Sequence, residues 1–422
     1  MRCFNRLGVV ITISVILSEI FFAANIYSAD WPQFRGINRD GQSAEIGLLK
    51  QWPAEGPKLL WVVNDCGKGF ASPAIVNDIV YVTGMDKDKH EFVSAYKTGG
   101  ALLWRTTYGS AWEKSFPDVR TTPTIDGDRM YVISGHGEIA CLNVKDGAII
   151  WTVDGASKFD AKWGRWGCAE SPLVVDNKVF FTPAGDKTTL VAFNKQNGEV
   201  IWQSPSLKDQ CAYISPVHII HNKKPFILSV TGTYIYAVNP VSGDIVWKYD
   251  YKQHFEGDGG DINTNSPLYH NGSVYVTSGY NHVGIKLNIA KDGNSVSVAW
   301  VDHTLDVHHG HVVLVDDNLY GSNWISNQRG NWCCVNWEIG KTSYETTWQN
   351  KGSIITAEGM LYCYDEKDGM IALVKANSQK FDIVSQFEVP IGDGPAWAHP
   401  AISNGKLYMR RGNGLMVYNI EK

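Results

Sequence analysis

The chain has 422 residues, a net charge of −5 and no basic block, a balance that argues against a nucleic-acid partner. Its length would allow two or three domains, but no linker interrupts residues 59–420, so one large domain is expected. After residue 29 no segment is apolar and long enough to span a membrane.

Residues 1–29 carry Arg2 and Arg6, then an apolar run from Leu7 to Ala24, and read as a secretory signal peptide. No cysteine follows that run, so no lipid anchor is expected and the mature protein is placed in the periplasm or outside the cell. Residues 30–58 form an N-terminal extension. Leu59 to Val63 reads as a strand carrying Trp61, with no strands before it to pair with. From there a unit repeats, and its clearest copy is residues 121–154. Short β-branched strands in that copy are separated by Asp126-Gly127, Gly135-His136-Gly137 and Asp146-Gly147, turn residues that supply positive φ or a local hydrogen bond.

The opening of the unit recurs at Ser72-Pro73, Thr122-Pro123, Ser171-Pro172, Ser215-Pro216, Ser266-Pro267, His311-Val312, Ser353-Ile354 and His399-Pro400. Steps between these openings are 50, 49, 44, 51, 45, 42 and 46 residues. Closings recur at Trp104, Trp151, Trp202, Trp247, Trp300 and Trp348. Four strands on that period define an eight-bladed β-propeller of antiparallel blades, all-β. The last copy ends after its third strand. Residues 59–63 supply the fourth, so residues 59–422 form a single propeller whose two chain ends close one ring, with Trp61 buried in the seam.

With that register established, the closings resemble the tryptophan-docking motifs of pyrroloquinoline quinone (PQQ) repeat propellers. These include quinoprotein alcohol dehydrogenases and the outer-membrane assembly lipoprotein that shares their fold. WPQFRGINRDG at 31–41 and WAHPAISNGKLYMR at 397–410 resemble short exported bacterial members of that family. The likeness specifies the fold strongly and the activity weakly.

If strand one of each blade lines the channel, the strand starts converge on one mouth. The opening column is Ser72, Thr122, Ser171, Ser215, Ser266, His311, Ser353 and His399. Two residues earlier stand Phe70, Arg120, Ala169, Tyr213, Thr264, His309, Lys351 and Trp397, and between the columns fall Glu170 and Asn265. Ionisable groups are costly to desolvate at a narrow end, so a ligand site is expected there, built from Arg120, Glu170, Trp166, Asn265, His309, His311, Lys351, Trp397 and His399.

Three functions follow as expectations. Aromatics beside Arg, Glu and His suit a small polar molecule such as a carbohydrate. The family resemblance implies PQQ with Ca²⁺ in an alcohol or sugar dehydrogenase: Glu170 with Asn265 or Asn263 on the ion, Asp306 as base, and Lys351 and Arg120 on the quinone. The third is a non-catalytic scaffold that binds a protein partner through its aromatic loop face. Glu170, Asp306 and His309 are the candidate catalytic groups, and turnover itself stays open. No metal site is expected beyond that quinone-linked ion, because His308-His309-x-His311 sets its ligands too close and on alternating faces. Cys333 and Cys334 read as small buried residues of a third strand.

Overall fold

A computed structural model describes residues 30–255 and 260–422. The signal-peptide segment 1–29 lies outside the described residues. Eight antiparallel blades of four strands account for almost all of the regular structure. Blade 1 runs through Ala74–Val76, Ile79–Met85, His90–Tyr96 and Leu102–Ser110. The remaining blades follow the repeat. Blade 8 comprises Ala401–Ser403, Lys406–Arg411 and Gly414–Asn419, and its fourth strand is Leu59–Val63, which pairs antiparallel with Gly414–Asn419. The ring is closed by the first blade strand of the chain, as the repeat register requires.

The blades are keyed together by the closing tryptophans. Trp104 Nε1 donates to Val144 O of the next blade at 3.1 Å, Trp151 to Lys195 O at 3.1 Å, Trp202 to Pro240 O at 3.2 Å and Trp300 to Trp337 O at 3.0 Å. Each indole also lies on the closing-turn glycine of that next blade. A Cβ built on Gly147 would come within 2.4 Å of Trp104, and one on Gly198 within 2.8 Å of Trp151. The two glycines have φ of 72° and 74°, a region open to glycine and strained for other residues. The motif therefore needs Gly twice over, for its backbone and for its contact. Trp61 lies on Gly100, at 3.1 Å from a Cβ there, but its indole N–H finds no acceptor among the described residues and it is half-buried rather than enclosed. Outer strands keep one face in water, and Trp104 and Trp300 share that partial exposure.

Every fourth strand is also bulged against the third, just before the closing position. Tyr344 and Ser385 occupy that position in blades 6 and 7, so the closing expected at Trp348 falls instead at Tyr344. A bulge twists an outer edge and interrupts its ladder, which blunts pairing with another chain. It leaves adjacent apolar residues on the rim, as at Leu102/Leu103 and Ile149/Ile150. Cys333 and Cys334 lie buried in Trp332–Asn336, and the seven cysteines of the described residues are free and buried.

Residues 30–58 pack under the ring rather than extend from it. Trp31 exchanges both backbone bonds with Ile75, each 2.8 Å, and Gln42–Ser43 adds a parallel strand to Gly352–Ala357 of blade 7. Between these anchors the chain crosses the channel.

The tryptophan–glycine dock predicts a contrast between two turns of one blade. Gly147→Ala should cost about 2–4 kcal/mol from backbone strain and overpacking. Gly127→Ala, at a φ of 62° with nothing within 4 Å of its Cβ, should cost about 1 kcal/mol. Equal losses in chemical denaturation would contradict the dock.

Candidate functional site

Six of the eight members of the opening column donate their backbone N–H to the side chain of the next member. Ser72 donates to Thr122 Oγ1 (3.1 Å), Thr122 to Ser171 Oγ (2.9 Å), Ser171 to Ser215 Oγ (3.0 Å) and Ser215 to Ser266 Oγ (3.1 Å). Ser266 donates to His311 Nε2 at 3.1 Å, and His399 closes back onto Ser72 Oγ at 2.9 Å. Short side chains are needed because the acceptor must lie beside the backbone of its neighbour. His311 fills the role with a ring nitrogen.

Below the ring the channel is plugged. Arg35 and Arg39 are buried, and both adopt positive φ. The guanidinium of Arg35 donates to Ile354 O (3.1 Å), Val312 O (2.6 Å) and Asp40 O (2.9 Å). Arg39 donates to Ser171 O and Pro216 O, both at 3.1 Å, and to Pro172 O. These carbonyls belong to strand starts of blades 3 and 4 for Arg39 and of blades 6 and 7 for Arg35, so each cation ties two neighbouring blades and the loop between them spans the axis. Burial pulls Arg35 down to about 10 and Arg39 to about 9, against the opposing pull of Asp40 and Glu170 respectively. Phe34 sits above them with its ring edge-on to His311 and His399, each 5.3 Å away.

The result is a blind cavity of about 460 Å³ at the mouth. Phe34 is its floor. Its wall takes seven of the eight residues that stand two before the opening column: Phe70, Arg120, Ala169, Tyr213, Thr264, His309 and Trp397. Trp397 packs on Phe70, Phe116 and His309, with centroids 4.7, 5.3 and 5.0 Å away. Trp166 meets Tyr213 edge-on at 5.2 Å. Arg120 lines the cavity with its guanidinium held by Ser115 O and Phe116 O.

The other residues singled out by the sequence divide. His311 and His399 line the lower cavity, yet both rings are occupied. His311 Nδ1 faces His309 O at 3.2 Å. His399 Nδ1 takes an Arg35 N–H at 3.2 Å, and its Nε2 faces His309 O at 3.1 Å. Glu170, Asn265, Asp306 and Lys351 are buried outside the lining. Glu170 Oε2 accepts from Thr182 N at 3.0 Å, and burial raises its carboxyl to about 8. Asp306 accepts from Asn281 N, and burial raises it to about 7. Asn265 donates to Val307 O and His308 O, both at 2.6 Å, and its oxygen accepts from His311 N at 2.9 Å. Lys351 is paired with Glu366 and donates to Asn327 O at 2.9 Å.

Sequence reasoning missed Phe34, Glu366 and the pairing of His308 with His309. Glu366 follows the second strand of blade 7, and its signal was Lys351, a cation in an inward column that needed a carboxylate. The two imidazoles are not on opposed faces: their centroids are 4.2 Å apart, and both line the cavity. His309 Nε2 is 3.4 Å from Glu366 Oε2. Burial, then Lys351, pushes His309 down to about 3. It is therefore neutral at physiological pH, and this contact is not an ion pair.

A quinone–calcium pair would need a carboxylate, an amide oxygen and a cation facing the cavity together. Glu170, Asn263, Asn265, Asp306 and Lys351 all lie outside its lining, and the Asn265 side chain is fully engaged. These residues do not fit that group.

The tryptophan-keyed ring and its repeat register define a PQQ-repeat propeller. A family model described as outer membrane protein assembly factor BamB matches residues 50–158 and 89–329, and the chain belongs to that family. BamB of Shewanella oneidensis is 22% identical over 248 residues, which are 48% of this chain and 58% of that protein. The solved BamB of Moraxella catarrhalis superposes with a TM-score of 0.61 at 16% identity, over 86% of this chain and 97% of that one. A quinohemoprotein alcohol dehydrogenase from Comamonas testosteroni gives 0.66 at 12% identity, over 93% and 81%. A europium-containing methanol dehydrogenase gives 0.68 at 12% identity, over 92% and 90%. At these identities the structural likeness shows the fold alone.

Glu170 yields a pH prediction. Its folded pKa is raised above the unfolded value, so the folded state holds a proton that the unfolded state has released between about pH 4.5 and 8. Stability from this group is intact below that window and falls as pH rises through it. Glu170→Gln should therefore gain on the wild type as pH rises from 5 to 8 in thermal melts. An advantage that is flat or shrinking with pH contradicts the assignment.

Proposed function

We propose that the blind cavity binds a small polar molecule with an apolar face, of the carbohydrate class. The observation that supports this is the combination of one blind pocket, aromatic walls on several sides and a few polar groups within them. Trp166, Tyr213, Tyr280 and Trp397 offer faces for stacking, while Arg120, His308 and Glu366 offer hydrogen bonds. A sugar presents both kinds of surface at once. A cavity of about 460 Å³ falls in the range of small-ligand sites.

A second reading rests on family membership: the chain would dock a protein segment on its aromatic loop face, where Phe116 and Ile325 are exposed. A peptide would cover that rim without filling the floor. The quinoprotein dehydrogenase reading, as built on Glu170, Asn265 or Asn263, Asp306 and Lys351, draws no support from the cavity lining. The apolar run at 7–24 and the family support export. Among the described residues no helix is long and apolar enough to cross a membrane. The buried thiols suit an oxidising compartment, since burial keeps them from exchange.

Titration of a mono- and disaccharide panel, followed by tryptophan fluorescence, tests the proposal. At least one sugar should saturate the signal, and Trp397→Ala or Trp166→Ala should weaken it by at least about tenfold with the melting temperature retained. Absence of saturable binding, or affinity unchanged in both variants, contradicts it. Binding of extended peptides alone would favour the docking reading.

A further inference from the structure

We propose that His308, His309 and Glu366 bind one divalent transition-metal ion in the wall of the cavity. Each offers a ligand atom, and these atoms lie within 4.8 Å of one another. Three atoms of the cluster, His308 Nδ1, His309 Nε2 and Glu366 Oε2, are buried without a well-formed hydrogen bond, the last two facing each other at 3.4 Å, while the Glu366 carboxyl is also held by Trp397. Buried polar atoms are nearly always paired, so three such atoms at one place call for a missing partner. With the ring proton on Nε2 of His308 and on Nδ1 of His309, each of the three carries a lone pair, which is the donor set of a cation site.

The geometry suits a small ion. Bonds of about 2.0–2.1 Å in a tetrahedron set ligand atoms about 3.3–3.4 Å apart. His309 Nε2 and Glu366 Oε2 already stand at 3.4 Å. The ligand atom of His308 lies within 4.8 Å of the other two. The supporting contacts are those that metal ligands require. Tyr280 Oη lies 2.9 Å from His308 Nε2, which leaves Nδ1 for the ion. Lys351 grips Glu366 Oε1 and is itself fixed by Asn327 O, which leaves Oε2 for the ion.

Ligand chemistry selects the class of metal. Two imidazoles and one carboxylate suit zinc or iron(II), whereas calcium and magnesium require a shell of oxygens. Lys351 strengthens that selection. It neutralises Glu366, so an ion held by charge alone gains little, while imidazole coordination is kept. Three protein ligands in a wall leave a coordination position facing the cavity, where a hydroxyl or carboxylate of a bound molecule could complete the shell. The inference does not rest on the carbohydrate reading, because the cluster is complete without a sugar.

The test uses the full chain, stripped with EDTA and titrated with Zn²⁺ by calorimetry, with Co²⁺ as a spectroscopic probe. One equivalent of Zn²⁺ should bind with a Kd below about 1 μM. The Co²⁺ adduct should show the visible bands of a low-coordinate site, and millimolar Ca²⁺ should not compete. His308→Ala and His309→Ala should each weaken binding by at least about 100-fold. Both side chains are only half-buried, so the fold should survive, and Glu366→Gln should behave alike if it melts normally. His136→Ala, at an exposed histidine, should bind as the wild type does. Failure of the folded protein to take up stoichiometric metal, or uptake that the two histidine variants leave intact, overturns the proposal. The sugar panel run on stripped protein separates the two ideas: sugar binding without metal uptake sinks only the ion, and metal uptake without sugar binding sinks only the carbohydrate.

Discussion

The contact between a closing tryptophan and the turn glycine of the next blade sets everything else. A four-stranded blade cannot bury both its faces alone, and this contact fixes how far one blade rotates on its neighbour. The indole supplies apolar area and one directed N–H, and the glycine supplies a backbone that nothing larger could occupy at the same place. Repeated at five of the eight blade junctions, the dock helps fix where the strand starts meet. The Ser/Thr/His column then registers those starts against one another at atomic spacing. A side chain placed two residues before that column has little choice but to face the mouth. The bulges on the outer strands serve the opposite end of each blade, where they keep an unpaired rim from growing.

The axis of such a ring is a hole lined by backbone carbonyls. The chain closes it with its own N-terminal segment, and the closure is cationic. Arg35 and Arg39 are buried against carbonyl oxygens rather than against carboxylates, so several dipoles share the work of one counter-ion. Burial lowers both guanidinium pKa values, yet they stay charged at any physiological pH. The strained φ of both residues has the same origin: the loop must turn sharply to present two long side chains to opposite walls within a few residues. Plugging makes the pocket blind, and a blind pocket excludes water better than a channel does.

What could be read from the sequence follows from this division. The ring, its closure by residues 59–63 and seven of eight wall positions come from the repeat, since periodicity carries register and register carries direction. Lys351 is the exception in that column because Glu366 draws it behind the wall. Asn265 was misjudged for a related reason: it stands at a strand start, but its amide is spent on the His308 carbonyl. Phe34, Arg35 and Arg39 carry no repeat signal, so periodicity cannot place them. The string around them pointed to a family and not to a position. Glu366 and the His308–His309 pair needed three-dimensional proximity between blades 6 and 7, which spacing along the chain does not encode.

Fold and cavity thus depend on one arrangement: a keyed ring with an internal plug that is part of the folded core. Amide hydrogen exchange across residues 30–58 measures that most directly. The account predicts that the amides of Trp31, Gly41 and Leu49, each bonded to a carbonyl, exchange as slowly as the blade strands around them. Exchange of these amides at loop rates, while central blade residues such as Ala140 and Ala372 stay protected, would show a detachable arm and contradict the plugged cavity.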